Sequence, residues 1–395
     1  MKAFLALSLF VLAVSAHHIP LGSGSYNASK LAKEEGYPTQ TLYVETQDGY
    51  KLEITRIAGS KDERESVLDQ LKQSGRIETE KPVVLLMHGI FGDSSEFVIN
   101  SESSIAYLLA DRGFDVFLGN FRGVRNSDDH HSRLNGHKDR AFWDYCFDDM
   151  GVKDLPSIIN KVLGVSGQQK LYYIGFNQAN SAVYVLLSQK PEYNNKIEKI
   201  VALAPLVYME NSKNPMMQII SENYQSSAWV SKWLGSHQFI PSDEFVSQIT
   251  QKCLDKKGDE NLCRNIYFLM NGFARNYPGT IATKFAQAYP SKTSTQELLH
   301  YAQLIKTNKF EPYYKNEDSE EYDLTKINVP VVLVSVPQDI LADERDVDTL
   351  EKRLPKVEEH IKINDYNSNL DLILNSNART NVYEKIVKKL RKNQE

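Results

Sequence analysis

Three cysteines in 395 residues permit at most one disulfide and leave one thiol over, which excludes a disulfide-built scaffold. Basic residues are not in excess; the formal charge is -5, so no nucleic-acid partner is expected. After the N-terminal stretch, no uninterrupted apolar run approaches the ~20 residues that a membrane-spanning helix needs, so no transmembrane segment is expected. Internal repeats and low-complexity segments are missing too. What is there is an ordinary globular composition, 41% apolar and 25% charged, in a chain long enough to bury a large core as one elaborated domain.

Residues 1–16 have the pattern of a secretory signal peptide: Lys2, a short apolar core, and the small-residue cleavage site Val14-Ser15-Ala16. The mature domain is then 17–395, exported or delivered to the lumen of the secretory or lysosomal pathway; an uncleaved anchor is the alternative. In an oxidising compartment Cys253 and Cys263, which flank a polar loop, are the candidate disulfide pair. Cys146 sits in the aromatic stretch 142–147 and is expected to be a small buried core thiol. Asn27-Ala28-Ser29 is the one glycosylation sequon.

Alternating apolar and polar residues at 41–46 and 51–57 around Asp48-Gly49 predict a hairpin. Short apolar runs at 83–87, 116–118, 171–174 and 200–203, separated by helical patterns, predict an α/β chain with a mostly parallel sheet. The strand rhythm stops after Ala204-Pro205 and resumes at 331–334. Residues of about 206–325 are thus expected as a helical insertion over the carboxyl edge of the sheet, where such sheets place ligands. Met216, Met217, Trp229 and Trp233 within it serve either as core or as pocket wall.

The stretch Leu171-Tyr172-Tyr173-Ile174-Gly175-Phe176-Asn177-Gln178-Ala179 is the most informative. It resembles the strand-turn-helix nucleophile elbow of an α/β hydrolase, Gly-x-Ser-x-Gly, with Asn177 where the serine belongs. An amide has no ionisable hydroxyl or thiol with which to attack a carbonyl carbon.

Further blocks extend the resemblance. They include Gly36-Tyr37-Pro38, Thr46-Gln47-Asp48-Gly49-Tyr50, Leu86-Met87-His88-Gly89-Ile90, Asn120-Phe121-Arg122-Gly123, Phe142-Trp143 with Phe147-Asp148-Asp149-Met150, and Asp339-Ile340-Leu341-Ala342-Asp343. Together they are similar to the acid lipases, the family of animal gastric and lysosomal lipases and their insect relatives, over nearly the whole mature chain. The resemblance implies an α/β-hydrolase fold with an inserted cap. It puts the nucleophile position at Asn177, the acid at Asp339, and the base at Asn369 within Tyr366-Asn367-Ser368-Asn369-Leu370-Asp371. Two of three triad members are then replaced. Backbone N–H groups of Ile90 and Gln178 would form the oxyanion hole, which survives side-chain change.

Other candidates are weaker. His360 is the one histidine after Asp339 and reads as part of a strand; Ser181 faces away from the elbow by helical geometry. His88 is expected as a hydrogen-bonded structural residue. Asp339 either accepts a hydrogen bond from the Asn369 amide or caps the helix beginning near Asp343. His130, His131 and His137, with Asp128 and Asp129, match no closed ligand spacing, so neither metal nor cofactor is expected. The leading expectation is an inactive lipase-like secreted protein that binds or stores a hydrophobic acyl ligand and can touch a lipid surface through its cap. The alternatives are a lipid-ester hydrolase with an unconventional nucleophile, and a non-catalytic storage or structural secretion product.

Overall fold

Runs such as Val83–Met87 and Val331–Ser335 are buried throughout, with no alternation of exposed residues. That is the signature of central strands covered on both faces. The computed structural model describes residues 27–391 except 125–126, 128–131, 137, 256–265 and 314–319. The expected signal peptide, the residues Asp128, Asp129, His130, His131 and His137, and both side chains of the expected Cys253–Cys263 disulfide therefore lie outside what is described.

The strands are β1 (Thr39–Glu45), β2 (Lys51–Ile57), β3 (Val83–Met87), β4 (Asp115–Gly119), β5 (Leu171–Phe176), β6 (Ile197–Leu203), β7 (Val331–Ser335) and β8 (Val357–Lys362). They form one sheet in the order β1-β2-β4-β3-β5-β6-β7-β8. β2 runs antiparallel to β1 and β4, and the other pairings are parallel. Gly49, at φ 99°, makes the turn of the expected hairpin.

Helices connect the parallel strands. Leu155–Ser166 ends on Gly167 at φ 72°, a left-handed C-cap in which glycine carries no Cβ penalty. One helix had no counterpart in the sequence reading: Arg64–Ser74, a charged helix whose buried anchor is Val67.

Between β6 and β7 the described residues add no strand to the sheet and carry the helices Pro215–Asn223, Ser227–Trp233, Asp243–Asp255, Ile266–Asn271, Gly279–Ala288 and Thr295–Thr307. Met216, Met217, Phe285 and Leu298 from these helices belong to the same apolar cluster as the strands. Trp229 and Trp233 are partly buried and pack against it, with Phe245 edge-on to both rings. A buried ion pair fixes the sheet from below: Arg56 on β2 forks onto both oxygens of Asp115 on β4, at 2.9 and 2.7 Å.

Candidate functional site

The turn between β5 and the helix Gln178–Gln189 is strained. Asn177 has φ 47° and ψ -111°, a region that a residue with a Cβ occupies only when its surroundings over-determine it. Those surroundings are visible. The Asn177 N–H donates to the Leu203 carbonyl at 3.0 Å, and the Asn180 amide donates to the carbonyls of Gly175, Asn177 and Leu203 at 3.1–3.2 Å. Sequence reasoning missed Asn180, which carries no motif of its own. The Asn177 side chain is buried; its Nδ2 reaches the Ala204 carbonyl at 3.3 Å and its Oδ1 has no hydrogen-bond partner.

The loop after β3 lies against this turn. A Cβ on Gly89 would stand 2.6 Å from the Phe176 ring and 3.3 Å from the Asn177 Cβ, so glycine is needed for the close approach. The Gln178 amide crosses to the Gly89 carbonyl at 3.2 Å. The backbone N–H groups of Ile90 and Gln178 make no hydrogen bond among the described residues. They are thus free donors beside the turn.

His88 has the expected structural role. Its Nε2 accepts from the Phe121 N–H at 3.1 Å, so Nδ1 carries the proton and donates to the Gly89 carbonyl at 2.9 Å. Burial holds its pKa down to about 4. Glu96 gave no signal in the sequence, yet it lies buried under the same loop. One carboxylate oxygen accepts from the Gly89 N–H at 3.0 Å, the other from the Tyr267 hydroxyl, and burial pushes its pKa up to about 8.

Asp339 follows β7 and Asn369 follows β8, and the structure brings them together. The Asn369 amide donates to Asp339 Oδ1 at 3.1 Å, and the Leu341 N–H donates to the same oxygen at 2.9 Å. Burial raises the Asp339 pKa to about 6 against the pull of these two donors. Asp339 Oδ2 and Asn369 Oδ1 are buried without partners. Of the two roles open to Asp339, the amide contact is the one found; Asp343 itself caps the helix Glu344–Arg353.

The other candidates are engaged elsewhere. His360, on β8, pairs through Nε2 with Ser335 Oγ at 2.8 Å and through Nδ1 with Glu351 at 2.9 Å, so neither nitrogen turns to Asp339. Ser181 donates to the Leu206 carbonyl and contacts the Tyr301 hydroxyl, away from the elbow as expected. Asn27 caps the helix Ala28–Glu34 through its Oδ1, which accepts from the Lys30 N–H at 2.7 Å. Cys146 is a fully buried free thiol.

Sheet order, elbow and the carboxylate after β7 define the α/β-hydrolase class, and the family model "alpha/beta hydrolase fold" matches residues 82–369. The model "Partial alpha/beta-hydrolase lipase region" matches 28–101. Human lysosomal acid lipase/cholesteryl ester hydrolase is 31% identical over 93% of this chain and 91% of its own length. Bovine gastric triacylglycerol lipase is 31% identical over 92% and 90%. The chain belongs to this family of gastric and lysosomal acid lipases. Among solved structures, a soluble variant of monoglyceride lipase from Saccharomyces cerevisiae aligns with TM-score 0.53 at 15% identity, covering 90% of this chain and 96% of that one. An esterase from Exiguobacterium antarcticum gives 0.54 at 10%, covering 89% and 100%. At such identity these two speak for the fold alone. No helix among the described residues is long and apolar enough to cross a membrane.

Proposed function

We propose that this acid-lipase-family chain is a secreted protein that binds or stores a hydrophobic acyl ligand and does not cleave esters. The observation that carries this reading is the amide at the strained elbow. Asn177 stands at the nucleophile position, and its Nδ2 is tied to a backbone carbonyl. Asn369 stands at the base position beside the retained acid Asp339 and cannot take a proton near neutral pH.

The polar atoms around the elbow suit a ligand better than a reaction. The N–H groups of Ile90 and Gln178 can receive a carbonyl oxygen, and the unpartnered Asn177 Oδ1 can receive a hydroxyl. A protonated fatty acid or a partial acylglycerol offers both. The segment 206–325 is the cap in this reading, and Trp229, Trp233 and the exposed Ile240 are its candidates for contact with a lipid surface. Asn27 glycosylation and the Cys253–Cys263 bridge belong to the same exported state.

The test is turnover of short and long acyl esters by the purified protein and by Asn177→Ala, with lipid extraction and mass spectrometry of the native protein. Background turnover in both, with co-purified fatty acid or acylglycerol, is the expected result. Robust turnover in both proteins would overturn the reading and assign the attack to another residue. Absence of any bound or bindable lipid would leave a storage or structural product instead.

A further inference from the structure

A second constellation lies away from the elbow, where the body of the sheet meets the inserted helices. Cys146 and Asp148 flank Phe147 at the start of the chain leading to the helix Leu155–Ser166, and His300 comes from the helix Thr295–Thr307. Cys146 Sγ, a carboxylate oxygen of Asp148 and a ring nitrogen of His300 all lie within 4.8 Å of one another. Cys146 and His300 are fully buried, and the Asp148 side chain is 18% exposed.

The hydrogen bonds of His300 settle which nitrogen faces the cluster. Its Nε2 lies 2.8 Å from the Glu311 carbonyl, an acceptor only, so Nε2 carries the ring proton. Nδ1 is buried without a hydrogen-bond partner and lies 3.8 Å from Asp148 Oδ1. Two acceptors thus face each other at a separation too long for a shared proton. A cation between them resolves the conflict, and the Cys146 Sγ lies within 4.8 Å of both.

We propose that Cys146, Asp148 and His300 form a binding site for a thiophilic divalent cation of the zinc type. Tetrahedral zinc with nitrogen, oxygen and thiolate ligands at about 2.0–2.3 Å sets its ligand atoms roughly 3.3–3.7 Å apart, so the His300–Asp148 pair at 3.8 Å closes by at most about half an ångström and the pairs to Cys146, within 4.8 Å, by at most about 1.5 Å. The surroundings have the character of a supporting shell. Phe147 stacks on the His300 ring with centroids 3.7 Å apart, and the Glu311 carbonyl fixes its rotation. The Tyr322 hydroxyl and the Tyr313 N–H hold the two Asp148 oxygens at 2.5 and 3.0 Å. The fourth position is left to water or to the second carboxylate oxygen. The ion would pin the helix Thr295–Thr307 of the insertion to the strand-connecting chain at Cys146, a structural clip that uses no residue of the elbow.

The experiment is elemental analysis of the purified full chain, then chelator stripping and titration with Co²⁺ alone, followed by Zn²⁺ competition. Cys146→Ser and His300→Gln are carried in parallel, the latter retaining an N–H for the Glu311 carbonyl. The expected result is one tightly held ion per chain and a near-ultraviolet thiolate-to-cobalt charge-transfer band that zinc abolishes. Cys146→Ser should lose the band, and His300→Gln should bind Co²⁺ at least about 100-fold more weakly. Far-ultraviolet circular dichroism equal to that of the parent shows that both variants fold. A folded parent with a titratable, reduced Cys146 and no cobalt band overturns the proposal. So does a band of equal intensity in both variants, which would put the ion on other residues.

Discussion

Glu96→Gln probes the electrostatics beneath the turn after β3. Burial raises this carboxyl from its ordinary 4.5 to about 8. The folded protein therefore keeps a proton that the unfolded chain releases, and stability falls as pH rises from the unfolded pKa through the folded one. At 1.36 kcal/mol per unit, the penalty is roughly 1 kcal/mol at about pH 5 and roughly 3.5 kcal/mol at about pH 7. Glutamine mimics the protonated carboxyl: its carbonyl can accept from the Gly89 N–H while its amide donates to the Tyr267 hydroxyl. The variant should gain about 2.5 kcal/mol on the parent between these two pH values. For a chain of this length the unfolding entropy is roughly 0.8 kcal/mol per kelvin, so the gain is about 3 °C in Tm. Paired thermal melts across the interval provide the assay. The difference between the two curves is the readout, because Glu297 and Asp339, raised by burial to about 8 and about 6, titrate in both proteins. Parallel curves would refute the reasoning and mean that Glu96 is charged in the folded state.

Restoring Asn177→Ser and Asn369→His together should produce hydrolysis of short acyl esters, since Asp339 already contacts the side chain at 369; each single variant should stay at background, because loss of either serine or histidine costs about 10⁶-fold. Activity in Asn177→Ser alone would contradict the assignment of the base position. Asn180→Ala removes three contacts that hold the elbow and should cost about 2 kcal/mol in urea denaturation; a loss under about 0.5 kcal/mol would mean that the turn holds itself. Asp115→Ala leaves the Arg56 guanidinium buried and uncompensated and should cost about 3–5 kcal/mol in the same assay, whereas the double variant Arg56→Met/Asp115→Leu should recover much of that loss. Equal losses in the single and double variants would show that packing, not charge, dominates there.

The strands and the elbow were legible because their signals are local. A continuously apolar run is a buried strand wherever it occurs, and the expected run at 83–87 coincides with β3. The elbow announces itself by its strand, its Gly175 and the helix behind it, which begins at Gln178. The helix Arg64–Ser74 was missed for the complementary reason: with Val67 as its one buried residue, it has almost no apolar periodicity to read.

The sequence by itself determined that asparagines stand at 177 and 369, because side-chain identity is a covalent fact independent of folding. It also determined the sheet and the family, through patterns that span only a few residues each. Only the tertiary structure decided what those residues touch. Asp339 and Asn369 are separated by the whole of β8 and meet because adjacent parallel strands end at one edge. Glu96 acquires its proton from burial beneath a loop, and desolvation belongs to the fold and not to the residue. Cys146, Asp148 and His300 converge for the same reason: a helix inserted after β6 packs back onto the chain before β5, bringing together side chains that no sequence spacing connects.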